Sequence, residues 1–226
     1  MKNIITGYSA LTLTLLLIAY IVYVQILFNH LDDNINHLLE SKKSEQPVML
    51  LSGFKVKAQE KPYSCGLATI TMIYSYLIEN TNEAFITDLL NLEKRASGMM
   101  PYYFSKKLQE ALPDYTVTHF SNRKDSQVVE LIINSLQNGF PAAINYSTVN
   151  ILKKPETDTH LSAIIGYDLN NKTFTIANAY GMIEVIPISE LLKMLKYENH
   201  VSSPFLFDIA VFLNIQGKNN IILIEK

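Results

Sequence analysis

The chain has 226 residues, 48% of them hydrophobic, enough for one ordinary domain with a real core plus an appendage. A formal net charge of −2 leaves no basic footprint for nucleic acid. The single cysteine, Cys65, excludes an intrachain disulfide and so removes stapling as a reason for that residue.

Residues 1–8 read as a short tail. From 9 to 28 no residue is charged, and Leu, Ile, Val, Ala and Tyr dominate. A run of about 20 apolar residues spans a bilayer core as one helix. A cleaved signal peptide is the competing reading, but its apolar core is usually only ~7–15 residues and ends in a small-residue site. Here Tyr20, Tyr23, Gln25 and Phe28 close the run with no A-x-A pattern. The expectation is an uncleaved single-pass anchor with the lipid bilayer as a partner. Lys2 precedes the span, which favours an extracytoplasmic domain. Lys42 and Lys43 argue the other way, and the acidic Asp32, Asp33 and Glu40 carry little weight.

Residues 29–47 read as stalk and linker. Val24, Phe28, Leu31, Ile35 and Leu38 follow heptad spacing. A short helical stalk and a frayed linker both fit, with 41–47 as the linker proper. The globular domain is expected over 48–226. Patterning predicts helices at 67–78, 83–92, 102–112, 126–137 and 188–195. It predicts strands at 115–120, 142–146, 161–167, 173–177, 205–215 and 221–224, with a hairpin turn at 168–172. Helices gather in the first half and antiparallel strands in the second, which is the order of an α+β fold with a helical lobe on a sheet.

Cys65 sits where the turn Pro62-Tyr63-Ser64 gives way to the apolar run that starts at Leu67. A thiol at a helix N-terminus feels the positive end of the helix dipole, which favours thiolate. Gln59, six residues upstream, can bring an amide N–H beside the sulfur. A nucleophile with a neutral donor nearby suits acyl transfer at a carbonyl. Such a thiolate needs an imidazole to hold and return the proton. Of five histidines, His30 and His37 fall on the stalk, His119 in mid-strand and His200 in a polar stretch. His160 opens the apolar strand Leu161-Ser162-Ala163-Ile164-Ile165 directly after a loop, where a rigid scaffold presents a reactive side chain.

A third group should orient that imidazole. Asn178 ends the partner strand of the hairpin that starts near His160, and in an antiparallel pair those positions are neighbours. Its carbonyl can accept the imidazole N–H and fix the tautomer. Asp158 and Asp168 are the rivals, one in the preceding loop and the other at the turn end of the hairpin. One cysteine and five scattered histidines lack metal-ligand spacing, so neither metal nor cofactor is expected.

These residues together resemble the papain-like cysteine peptidases, in particular the bacteriocin-processing, double-glycine-leader peptidases and their stand-alone relatives. Gln59 with Cys65-Gly66 and Ala68 looks like that family's oxyanion glutamine and nucleophile box. Gly139-Phe140-Pro141 before a strand resembles its small-residue–proline element. His160, Gly166-Tyr167-Asp168 and then Asn178-Ala179-Tyr180-Gly181 look like its last two boxes. The resemblance covers roughly residues 48–195. Many members carry Asp then Pro where this chain has Asn178-Ala179. No G-x-x-x-x-G-K-[ST] occurs, so no exporter ATPase accompanies the resemblance.

The resemblance implies a papain-like α+β fold and a membrane-anchored peptidase acting on peptides or proteins. In it Cys65 attacks, His160 carries the proton, Asn178 holds His160, and Gln59 with the Cys65 N–H stabilises the oxyanion. Acyl transfer through the same thiol and a non-catalytic tethered binding module are the alternatives. Gly98-Met99-Met100-Pro101-Tyr102 fits either a substrate-cleft wall or core packing.

Overall fold

The computed structural model describes residues 35–92, 98–147, 159–197 and 217–226. The anchor expected at 9–28 and the strand expected at 205–215 lie outside these residues. Among the described residues no helix is long and apolar enough to cross a membrane.

The sheet is built around β4 (Thr159–Asp168), whose ten residues are buried except at the two ends. One edge of β4 pairs first with β3 (Ala142–Ser147) and then with β1 (Val48–Leu50); the other pairs with β5 (Thr173–Asn178). β6 (Met182–Pro187) follows β5 at one margin of the sheet. β7 (Asn220–Glu225) and β2 (Thr116–Phe120) extend it beyond β3, giving the order β2-β7-β3-β4-β5-β6 with all pairs antiparallel. The α+β expectation is met. β1 and β6 have no counterpart in the sequence reading, because one is only three residues long and the other carries a proline and a central glutamate.

α1 (Cys65–Leu77) lies against β4. Every residue from 65 to 74 is buried, so the helix is apolar all round and belongs to the core. α2 (Glu83–Leu89) is capped by the Asn82 side chain, which accepts from Phe85 N at 2.9 Å. α3 (Pro101–Ala111) starts on a proline whose missing N–H costs nothing at that position. α4 (Asp125–Gln137) ends at Gly139, whose φ of +84° suits glycine. α5 (Ile188–Leu195) packs against β3.

The second half of the expected stalk and linker falls within the described residues. Residues 35–45 are helical, but the apolar stripe faces the domain: Ile35 and Leu39 are buried in the core and Leu38 packs on it. Lys172 Nζ donates to Asn36 Oδ1 at 3.1 Å, and Leu169 N donates to Pro47 O at 2.8 Å. Heptad spacing cannot distinguish a helix seeking a partner helix from one docked on its own domain, since both bury one stripe.

In the β4–β5 ladder the register slips between Ile164 and Gly166, and on the other edge of β4 Gly166 faces β1. A Cβ on Gly166 would stand 2.6 Å from the Met49 carbonyl oxygen, so this close backbone approach requires glycine. Gly166→Ala is expected to cost about 1–3 kcal/mol. Thermal unfolding checks it against Gly98→Ala, where a Cβ meets nothing within 4 Å.

Candidate active site

Cys65 is the first residue of α1, not a residue of the preceding turn, and is 8% exposed. The first turn of α1 is pressed onto the start of β4. Thr69 Oγ lies 2.8 Å from Cys65 O and 3.0 Å from Leu161 O, one proton serving both carbonyls. A Cβ on Gly66 would meet Leu161 Cδ1 at 3.1 Å and Met99 Cβ at 3.0 Å, so the small residue after the cysteine permits the contact. His160 precedes Leu161 on the same strand. The helix tip that carries Cys65 and the strand end that carries His160 therefore lie together.

His160 is 3% exposed, and its Nε2 lies 2.9 Å from Asn178 Oδ1. Asn178 is in register with Ser162, which makes His160 its diagonal neighbour across the hairpin. Asn178 is fully buried with its amide hydrogen-bonded on both sides. Oδ1 also accepts from Tyr180 N at 2.8 Å, while Nδ2 donates to Glu184 Oε2 at 2.7 Å and to Tyr146 OH at 3.2 Å. A backbone N–H needs an acceptor and a carboxylate needs a donor, so these partners fix which end of the amide is oxygen. It follows that His160 Nε2 carries a hydrogen and donates it, leaving Nδ1 as the basic nitrogen.

Aromatic rings enclose the imidazole. Tyr180 stacks on it with centroids 4.2 Å apart and planes 9° from parallel. Tyr146, its register partner on β3, meets it edge-on at 5.9 Å. Burial pushes His160 down to about 4, against the pull of the Asn178 bond. The Tyr146 phenol is raised, by burial first and then by Glu184, Tyr180 and Cys65, against its bond to Ser162. Cys65 thus lies within electrostatic reach of the same ring that abuts His160.

Gln59 is also brought to this end of the molecule. Its backbone N donates to Ala179 O at 2.6 Å, beside the bridge between Ala58 and Tyr180. Gly181, with φ +87° and a virtual Cβ 2.8 Å from Ala58 Cβ, allows that approach. The side chain is not presented as expected, however. Nε2 commits its two hydrogens to Lys61 O at 2.9 Å and Pro62 O at 3.0 Å, and Oε1 is buried without a hydrogen-bond partner among the described residues. An orphaned buried carbonyl costs about 1–3 kcal/mol, so this is a poorly satisfied arrangement.

Of the other sequence candidates, His119 is a satisfied strand histidine, with Nε2 3.0 Å from Asn220 Oδ1. His37 is exposed on the docked helix. Asp168 organises the β4–β5 turn, accepting from Asn170 N and Asn171 N at 2.9 and 3.2 Å. His30, Asp158 and His200 lie outside the described residues. Met99 is buried against Gly66, whereas Met100 and Tyr102 are exposed, so only part of the Gly98–Tyr102 stretch packs into the core.

Sequence reasoning missed Tyr146, Tyr180, Glu184 and Glu83. Glu83 is buried at the start of α2 and accepts from Glu60 N at 3.1 Å and Ser64 Oγ at 3.3 Å, which holds the loop entering Cys65. Burial raises its pKa, opposed by these two bonds. The one visible signal was Glu184, a charge in the middle of an otherwise apolar strand.

A profile of the Peptidase_C39 like family matches residues 51–202. The chain belongs to that family. It is a peptidase of the cysteine type. A C39-like peptidase from Bacillus anthracis shares the fold at a TM-score of 0.55 and 11% identity, over 79% of this chain and 98% of that one. The peptidase domain of Streptococcus ComA, a bi-functional ABC transporter involved in a quorum-sensing pathway, gives 0.45 and 12%, over 76% and 98%. A double glycine motif protease from an AMS/PCAT transporter, in complex with the leader peptide, gives 0.44 and 12%, over 78% and 97%. At these identities the likeness concerns the fold alone. No curated protein matches the sequence.

The lowered pKa of His160 has a measurable consequence for this peptidase. An unfolded histidine titrates near 6.5, so between about pH 6.5 and 4 the unfolded chain binds a proton that the folded chain does not. Stability is whole above that window and falls as pH drops through it, by up to about 3 kcal/mol from this group. Thermal melts should therefore lose more between pH 7 and 4 in the wild type than in His160→Gln. Equal losses would mean that the folded imidazole titrates at its ordinary value.

Proposed function

We propose that the chain is a membrane-anchored cysteine peptidase that hydrolyses peptide bonds through Cys65, His160 and Asn178, with Gln59 as oxyanion donor. The observation that carries this reading is the 2.9 Å bond from His160 Nε2 to Asn178 Oδ1, made at the strand end against which the Cys65 helix tip is packed. Nδ1 of His160 takes the Cys65 proton as the sulfur attacks the substrate carbonyl. The imidazolium then protonates the leaving amine, and the acyl chain stays on sulfur as a thioester. Water, deprotonated by the same nitrogen, cleaves the thioester and restores the thiol.

The oxyanion role asks Gln59 Nε2 to exchange a loop carbonyl for the developing negative oxygen. Its unsatisfied Oε1 supports this, because turning the amide gives up only the Nε2 bonds, one of which the oxyanion replaces. The Cys65 backbone N–H, at the start of α1, is the second donor. Exposed Tyr63, Met100 and Tyr102 supply an apolar rim for an extended peptide substrate. Membership of a peptidase family supports a peptide as substrate class.

Cys65→Ala and His160→Ala are expected to abolish turnover in a peptide-cleavage assay while leaving the fold by circular dichroism. Gln59→Ala should lower kcat by ~100-fold, the usual loss for one oxyanion donor. Full activity in Cys65→Ala would end the proposal, and unchanged kcat in Gln59→Ala would remove that residue from it.

The anchor rests on the uncharged run at 9–28, and the extracytoplasmic domain on Lys2 before it. Full-length protein should sediment with membranes through an alkaline carbonate wash. In intact cells its domain should be digested by added protease. Release by carbonate, or protection from the protease, would contradict the anchor and the orientation respectively.

A further inference from the structure

We propose that Glu184 is a positioning residue of the peptidase: its carboxylate, acting through the Asn178 amide, steadies the positive charge that His160 acquires when it takes the Cys65 proton. This rests on the triad reading above. Asn178 is neutral and offers an imidazolium only a dipole. Behind it, Glu184 Oε2 accepts from Nδ2 at 2.7 Å while Oδ1 accepts from His160 at 2.9 Å. An amide whose N–H is held by a carboxylate is polarised, and its oxygen becomes the better partner for a cation. Among the described residues no cation faces the carboxylate. The titratable groups that meet it around Tyr146 and Asn178 are Tyr146 from β3, His160 from β4, Tyr180 from the β5–β6 turn and Cys65 from α1, and only His160 gains positive charge in the reaction.

The strand itself says that the carboxylate is there for this bond. β6 lies at the sheet margin, where a glutamate normally faces water. Here the pattern is inverted, with Ile183 and Val185 59% and 64% exposed and the glutamate between them half-buried against Asn178. Asn178 does not need Glu184 to choose its orientation, because Tyr180 N already selects Oδ1. What Glu184 adds is charge.

Glu184→Gln keeps an acceptor for Nδ2 and removes only that charge. In full-length protein in detergent micelles, the variant should alkylate Cys65 with iodoacetamide about tenfold more slowly at pH 7. The His160 pKa, read by imidazole NMR and assigned with His160→Gln, should fall further, with the melting temperature unchanged. Glu184→Met, which removes acceptor and charge together, should slow alkylation at least as much. Wild-type alkylation with an unmoved His160 titration in Glu184→Gln overturns the proposal, because an acceptor alone would then suffice. Failure of the triad reading shows separately, as wild-type alkylation in His160→Gln.

Discussion

The bond between His160 and Asn178 is the constraint around which the sheet is arranged. Both residues are almost wholly withdrawn from water, where a polar group without partners costs several kcal/mol on the harsher transfer scales. The fold meets that cost by satisfying Asn178 at each end of its amide, from β4, β3, β6 and the turn after β5. The register that places Asn178 opposite Ser162 is therefore tied to a buried polar network as well as to apolar packing. A slip of one residue would turn the imidazole to the other face and leave the network open.

Cys65, the proposed nucleophile, is referred to the same frame by a different route. Gln59 and Ala58 are attached to the turn that follows Asn178, and Thr69 to the strand that follows His160. The loop between these attachments, Glu60 to Ser64, is pinned by Glu83 from α2. Cys65 thus sits at the end of a short tether held at both ends. Neither the loop alone nor the helix alone would fix its position to the fraction of an ångström that a proton transfer requires.

What could be read in advance were the residues that end elements. Cys65 marks a change from turn to helix, His160 a change from loop to strand, and Asn178 the close of a hairpin. Each is visible as a break in local pattern, and the pairing of hairpin ends is a rule of antiparallel geometry. The helices were found with ends shifted by up to three residues, most at the C-terminus of α2, and burial on all sides of α1 hides the period that would have marked its start. Glu184, Tyr180 and Tyr146 were not legible because their roles depend on cross-strand register, which no single segment encodes. The Gln59 side chain was placed near the nucleophile by spacing, but spacing does not say where its hydrogens go. The docking of the helix at 35–45 was not legible because its stripe is the same whichever surface buries it.

The electrostatics of the pocket also bear on why a lone cysteine can be kept there. Thiol reactivity follows the thiolate fraction, and an exposed, permanently ionised sulfur would be open to oxidation and alkylation. Burial, which holds His160 near 4, disfavours the imidazolium that a resting ion pair would need. In the proposed reaction the substrate carbonyl takes up the negative charge as the proton moves from Cys65 to Nδ1. The enclosing tyrosines that depress the histidine and the amide–carboxylate pair that supports it then act in opposite directions on one equilibrium. Their balance sets how much of the ionisation is deferred to the moment of attack.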